Sequence, residues 1–193
     1  MIKSKLVLIF LFTVIIFQFQ ATSWAEYDPV SATEGWSVIE SKYCTIFCHP
    51  KVDINKVNSR IQIRFYDING GRFSAKNKSA EEQLAEKFDR LLLRVEKILD
   101  MYPRKLHLKA MIYKNQAQID EVYIRIFNYS DGEERISFYV HKFTTVFTAE
   151  QVIREGVLAH EMGHAVVDHY FVVLPPEKIK ELLSQYVELH LED

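Results

Sequence analysis

Little in this 193-residue sequence is in excess. It holds two cysteines, six glycines and five prolines, and its 24 basic and 26 acidic residues leave a formal charge of −2. That balance lacks the basic surplus of a nucleic-acid-binding surface. Internal repeats, low-complexity tracts and long Gly/Pro/Ser linkers are absent, so one domain is the simplest organisation. Long apolar runs are absent too, apart from residues 6–19, which fall short of the roughly 20 residues a membrane-spanning helix needs.

That run has another reading. It follows Lys3 and Lys5 and precedes Ser23-Trp24-Ala25, which places small residues at the two positions a signal peptidase reads. Residues 1–25 are therefore expected to be a signal peptide and Glu26 the first residue of the exported chain, secreted or, in a bacterium, periplasmic. The alternative is an uncleaved anchor, the one route to the membrane. Removing Lys3 and Lys5 leaves 22 basic residues against 26 acidic, a formal charge of −4. Residues 26–193 suffice for a single domain with a real core, which 13 Phe and 10 Tyr help to fill.

Cys44 and Cys48 leave their pairing open. Residues 43–47 read as a strand, and four strand residues span about 13 Å, beyond the Cα separation of a disulfide. The two can pair only if the strand ends before Cys48, at His49-Pro50, in an oxidising compartment. As a metal set with His49 they lack a fourth nearby ligand.

The chemistry concentrates in residues 157–170, which include His160-Glu161-Met162-Gly163-His164. On a helix this spacing puts both imidazoles on one face, where they can share a Zn²⁺ at roughly 2.0–2.1 Å per nitrogen. A third protein ligand would leave the fourth position for water, and Glu161 could take that water's proton as general base and return it to a leaving amine. Thr148 with Gln151 reads as a capping box, and no proline follows until Pro175. Val152, Ile153, Val157, Leu158, Met162, Val166 and Val167 make the helix apolar on nearly all sides, hence buried. Ionisable groups inside such a helix are costly unless something such as a metal pairs with them.

Elsewhere, 52–63 fits a short amphipathic helix loosely, and Asn69-Gly70-Gly71 is turn chemistry. Ser79 with Glu82 caps a helix whose apolar residues Leu84, Phe88, Leu91, Val95, Ile98 and Leu99 repeat until Pro103. Its charged face, with Glu86, Lys87, Arg90, Arg94 and Lys97, is expected in solvent. Residues 106–113 alternate as a strand, 116–127 form another helix, and Asp131-Gly132 turns the chain into a strand containing Ile136, Phe138 and Val140. That strand is either interior or an edge able to pair with an extended peptide. After Pro175, Pro176 can open a last helix, with Ile179, Leu182, Leu183, Tyr186, Val187 and His190 on one face and Glu177, Glu181, Ser184, Gln185 and Glu188 opposite.

The third ligand is expected on that helix. A histidine ten positions after His160 is ruled out because Tyr170 stands there. Asp168 lies about 12 Å along the axis from His160, too far for a shared metal. It is either an acceptor orienting His164 or half of a structural salt bridge. In an antiparallel hairpin Glu181 and Glu188 both come near the level of His164, and simple geometry does not choose between them.

His-Glu-x-x-His, a Leu-Pro and a glutamate helix resemble the gluzincin zinc metallopeptidases, particularly small peptidase-MA-like proteins. Residues 176–186 are similar to that family's Pro-x-Trp-Leu-x-Glu-Gly-Leu-Ala-x-Tyr, with Lys178 in place of its tryptophan and Leu182 of its glycine; the match selects Glu181. Residues 160–168 also look like the thermolysin zinc helix. The resemblance implies an α+β, zincin-like fold with a small mixed sheet on the helix that carries the motif. It also implies a single zinc held by His160, His164 and Glu181, and a peptide or protein substrate. Tyr170, Tyr186 and His190 are candidates for a donor to the transition-state oxyanion. The chain ends soon after the glutamate helix, so the expected cleft is shallow, with restricted substrates or a partner protein that completes it. A second reading, from another class, is an envelope module that binds zinc or a partner without cleaving anything, and a purely structural exported domain is third. Glu161 argues against the binding-only reading, since a non-catalytic site would not require it, and stoichiometric zinc loading would exclude the structural one.

Overall fold

The structure is a computed structural model, described here for residues 27–63, 78–130, 132 and 134–191; the segment expected to be a signal peptide and the expected turn at Asn69-Gly70-Gly71 lie outside these residues. In chain order the elements are β1 (Ser37–Glu40), β2 (Cys44–Cys48), α1 (Ile54–Arg60), α2 (Ala80–Leu99), β3 (Leu108–Tyr113), α3 (Gln116–Phe127), β4 (Ser137–Val140), β5 (Thr145–Ala149), α4 (Glu155–Tyr170) and α5 (Glu177–Leu189). The architecture is α+β: a five-stranded mixed sheet in the order β1-β2-β3-β5-β4. Strands β2, β3 and β5 run parallel, while β1 and β4 pair antiparallel on the outside.

Side chains alternate across this sheet and sort the core into two layers. Cys44, Ile46, Cys48, Leu108, Ala110, Ile112 and Val146 pack with α2 and α4. Phe47, Met111, Tyr113, Phe147 and Ala149 pack on the other face with Ile119 and Val122 of α3. Both cysteines thus face the α2 layer as buried free thiols. The strand continues through Cys48, so the condition for pairing is not met. Burial raises both thiol pKa values, that of Cys48 to about 12.

The Ser79–Glu82 capping box forms, and α2 closes at Asp100 in the left-handed conformation. The expected capping box at Thr148 does not. Thr148 belongs to β5, paired with Ile112 on one side and Ser137 on the other, and α4 begins only after Arg154, with no side-chain cap. Residues 145–149 are a buried run rich in β-branched and aromatic side chains, the pattern of a strand covered on both faces, which shows no alternation to read.

The charged face of α2 is not wholly solvated. Lys87 is buried, and its Nζ donates to the carbonyls of Asn58 at 2.5 Å and Ile61 at 2.8 Å, closing the C-terminal end of α1. Arg94 reaches the carbonyls of His190 and Leu191 beyond α5. Both basic groups meet the negative end of a helix.

Helices α4 and α5 pack closely through small residues. A Cβ built on Gly163 would sit 3.1 Å from Ser184 Cα and 3.0 Å from its Oγ. This contact sets the rotation of α5: Lys180, Ser184 and Val187 are buried, while Ile179, Leu182 and Tyr186 are turned outward. The apolar face read from the sequence is therefore not the packed one. Gly163→Ala would gain about 1 kcal/mol of helix propensity against its steric cost, so Gly163→Val is the cleaner probe. Overpacking at this contact is expected to cost about 1–3 kcal/mol, read as a lowered Tm in thermal unfolding.

Candidate metal centre

On α4, His160 and His164 stand one turn apart with ring centroids 5.0 Å from each other. Pro176 is the N-cap of α5, so the helix begins at Glu177, one residue later than expected, and it brings Glu181 across from them. Glu181 Oε1 is 3.6 Å from His160 Nε2, and Oε2 is 3.4 Å from His164 Nε2. The three ligand atoms lie within 4.8 Å of one another, and among the described residues no second group of this kind occurs. Two imidazoles and a carboxylate suit zinc, so the donor set fits that ion. Gln185 Nε2 donates to Glu181 Oε1 at 2.8 Å and steadies it. Glu188 approaches the other nitrogen of His160, with Oε2 3.6 Å from Nδ1. The two glutamates that geometry alone left equivalent therefore take different places.

Glu161 is buried between α4 and the outer edge of β4. Burial, reinforced by the nearby Glu181 and Glu188, pushes its pKa from the ordinary 4.5 up to about 8, against the Ser137 hydroxyl and the Tyr139 backbone N–H beside it. Burial, with repulsion from His160, lowers that of His164, favouring the neutral imidazole that binds metals. The raised carboxyl has a stability consequence. Between pH 4.5 and 8 the folded, metal-free protein holds a proton at Glu161 that the unfolded chain releases. Stability of the metal-free protein is therefore expected to fall as pH rises through this window, by at most about 1.4 kcal/mol per unit. Urea titrations at several pH values should show this slope, and Glu161→Gln should flatten it.

Asp168 takes the salt-bridge role. Its Oδ1 is 3.3 Å from Lys180 Nζ and its Oδ2 is 3.4 Å from His141 Nδ1, so it ties α4 to α5 and to the turn after β4. The three proposed oxyanion donors lie elsewhere. Tyr170 lines a separate hollow with Tyr102, Arg104 and His169. Tyr186 and His190 stack on each other at 3.9 Å. The cleft that holds the triad, about 820 Å³, is instead lined by His141, Lys142, Tyr139 and three aromatic rings, Tyr123, Phe127 and Phe138. The approach of His141, in the turn after β4, to Asp168 was not legible in the sequence, because it needs the α4–β4 packing. His49, near Trp36 and Gln118, joins no metal-binding group among the described residues.

Among the described residues β4 lies at one end of the sheet, so the edge reading of this strand holds there over the interior one. Comparison with known proteins adds no family: no family model matches the chain, and no curated protein is significantly similar to it.

Proposed function

We propose that this chain is an exported zinc metallopeptidase of the gluzincin type on a zincin-like fold, with His160, His164 and Glu181 as metal ligands and Glu161 as general base and then acid. The observation that carries the reading is the convergence of both Nε2 atoms on the two oxygens of one carboxylate, 3.4–3.6 Å away, beside a buried glutamate. Zinc, when bound, supplies a Lewis acid and lowers the pKa of water toward about 7.

The chain's own residues do the rest. Glu161, next to His160 in sequence and facing β4, accepts a proton from the attacking water and delivers it to the leaving amine. In the metal-free protein, burial and the neighbouring Glu181 and Glu188 hold its proton affinity above that of an ordinary carboxylate, the direction a proton carrier needs. An extended peptide can lie along the outer edge of β4, where no described strand pairs, and so present a carbonyl to Glu161. His141, held through Nδ1 by Asp168, is the donor in the same cleft for developing negative charge.

The test is cleavage of extended peptides by the zinc-supplied protein. Cleavage should stop on chelation, return with zinc, and be lost in Glu161→Gln. Turnover that survives both chelation and that substitution would refute the reading.

A further inference from the structure

Three aromatic side chains in the cleft have no part in the chemistry above. Phe138 projects from β4 onto the α3 face of the sheet, stacked on Phe147 at 4.8 Å and 14°. Tyr123 meets Phe138 edge-on at 5.2 Å and lies 4.5 Å from Phe127. The Arg135 guanidinium sits 3.4 Å over the Tyr123 ring, holding that ring in place. Phe127, at the C-terminal end of α3, remains 46% exposed. The same cleft is lined by His160, Glu161, His164 and Glu181.

Strand geometry links these two groups. Along β4, Ser137 and Tyr139 lie on the side of Glu161, and Phe138 falls between them onto the side of Tyr123 and Phe127. A peptide added to the outer edge of β4 alternates in the same way. Where one of its side chains faces α4 and the ligand triad, the next faces the three rings. Exposed aromatic surface there gains by covering and offers edge-to-face partners.

We infer that the cleft selects extended peptides carrying a bulky apolar side chain, aromatic above all, at the position adjoining the one that faces the triad, with Tyr123, Phe127 and Phe138 as its receptor. This inference rests on the peptidase reading for the peptide's course, but its test reads binding rather than turnover. The zinc-supplied Glu161→Gln protein is titrated into dye-labelled, end-blocked octapeptides of alanine and serine, with or without a phenylalanine moved along the sequence, and anisotropy is followed. The best phenylalanine peptide should bind at least tenfold more tightly than the all-alanine one, a difference of about 1.4 kcal/mol. Adding Phe127→Ser, at a half-exposed position and with folding checked by thermal unfolding, should reduce the advantage to twofold or less. Equal binding of the two peptides, no binding of either, or an advantage that survives both Phe127→Ser and Tyr123→Ser would overturn the inference. Cleavage by the wild type without preference would overturn it while sparing the peptidase reading. Phenylalanine-dependent binding without zinc uptake or cleavage would do the reverse.

Discussion

Glu161→Gln is expected to lower kcat for peptide cleavage by about a thousandfold, within the 10²–10⁴ range of general acid–base catalysis, and to leave KM within about twofold. Glutamine matches the shape of the carboxylate and fits the same buried site, but it cannot carry a proton between water and amine. An interaction made only in the transition state is thereby removed, so kcat and kcat/KM should fall together. The change also deletes a carboxyl group from a site crowded by Glu181 and Glu188, whose charges help to raise its pKa. Zinc uptake should therefore persist, and the metal-free variant should be at least as stable as the wild type above pH 7. Steady-state kinetics beside metal analysis of the same samples checks both halves.

Glu181→Ala should weaken zinc binding by more than a hundredfold, and Glu188→Gln by about tenfold. The difference follows from which imidazole nitrogens the two carboxylates face. Glu181 points an oxygen at each Nε2, the position of a direct ligand. Glu188 faces Nδ1 of His160, where a carboxylate orients the ring and increases its basicity; losing such a partner costs about 10–100-fold in metal affinity. Competition against a chromophoric chelator measures both constants. A larger loss in Glu188→Gln than in Glu181→Ala would exchange the two roles.

The parts of this molecule legible in the sequence were those with local causes. Ser79 and Glu82 announced α2, and Asn115 carries a similar box, with Gln118, at the start of α3. The histidine pair needed only helical periodicity. What was not legible depends on neighbours far along the chain. β5 is the clearest case: paired on both sides and buried on both faces, residues 145–149 have no period to betray a strand, and Thr148 was read as the cap of the next helix. Lys87 looked like one more solvated lysine because the carbonyls it closes are 26 and 29 residues away. The rotation of α5 followed from a glycine–serine contact rather than from its apolar stripe, since close approach of two backbones outweighed burial of Ile179, Leu182 and Tyr186. That rotation also brings Glu181 to the histidines and carries Tyr186 and His190 away from them.

Zinc content is the most direct measure of the central claim. The purified protein, supplied with zinc and freed of excess by gel filtration, should hold one zinc per chain by elemental analysis, and His164→Ala, folded by circular dichroism, should hold almost none. A folded wild-type protein that takes up no zinc would contradict the account and leave His160, His164 and Glu181 as an ordinary polar cluster between two helices.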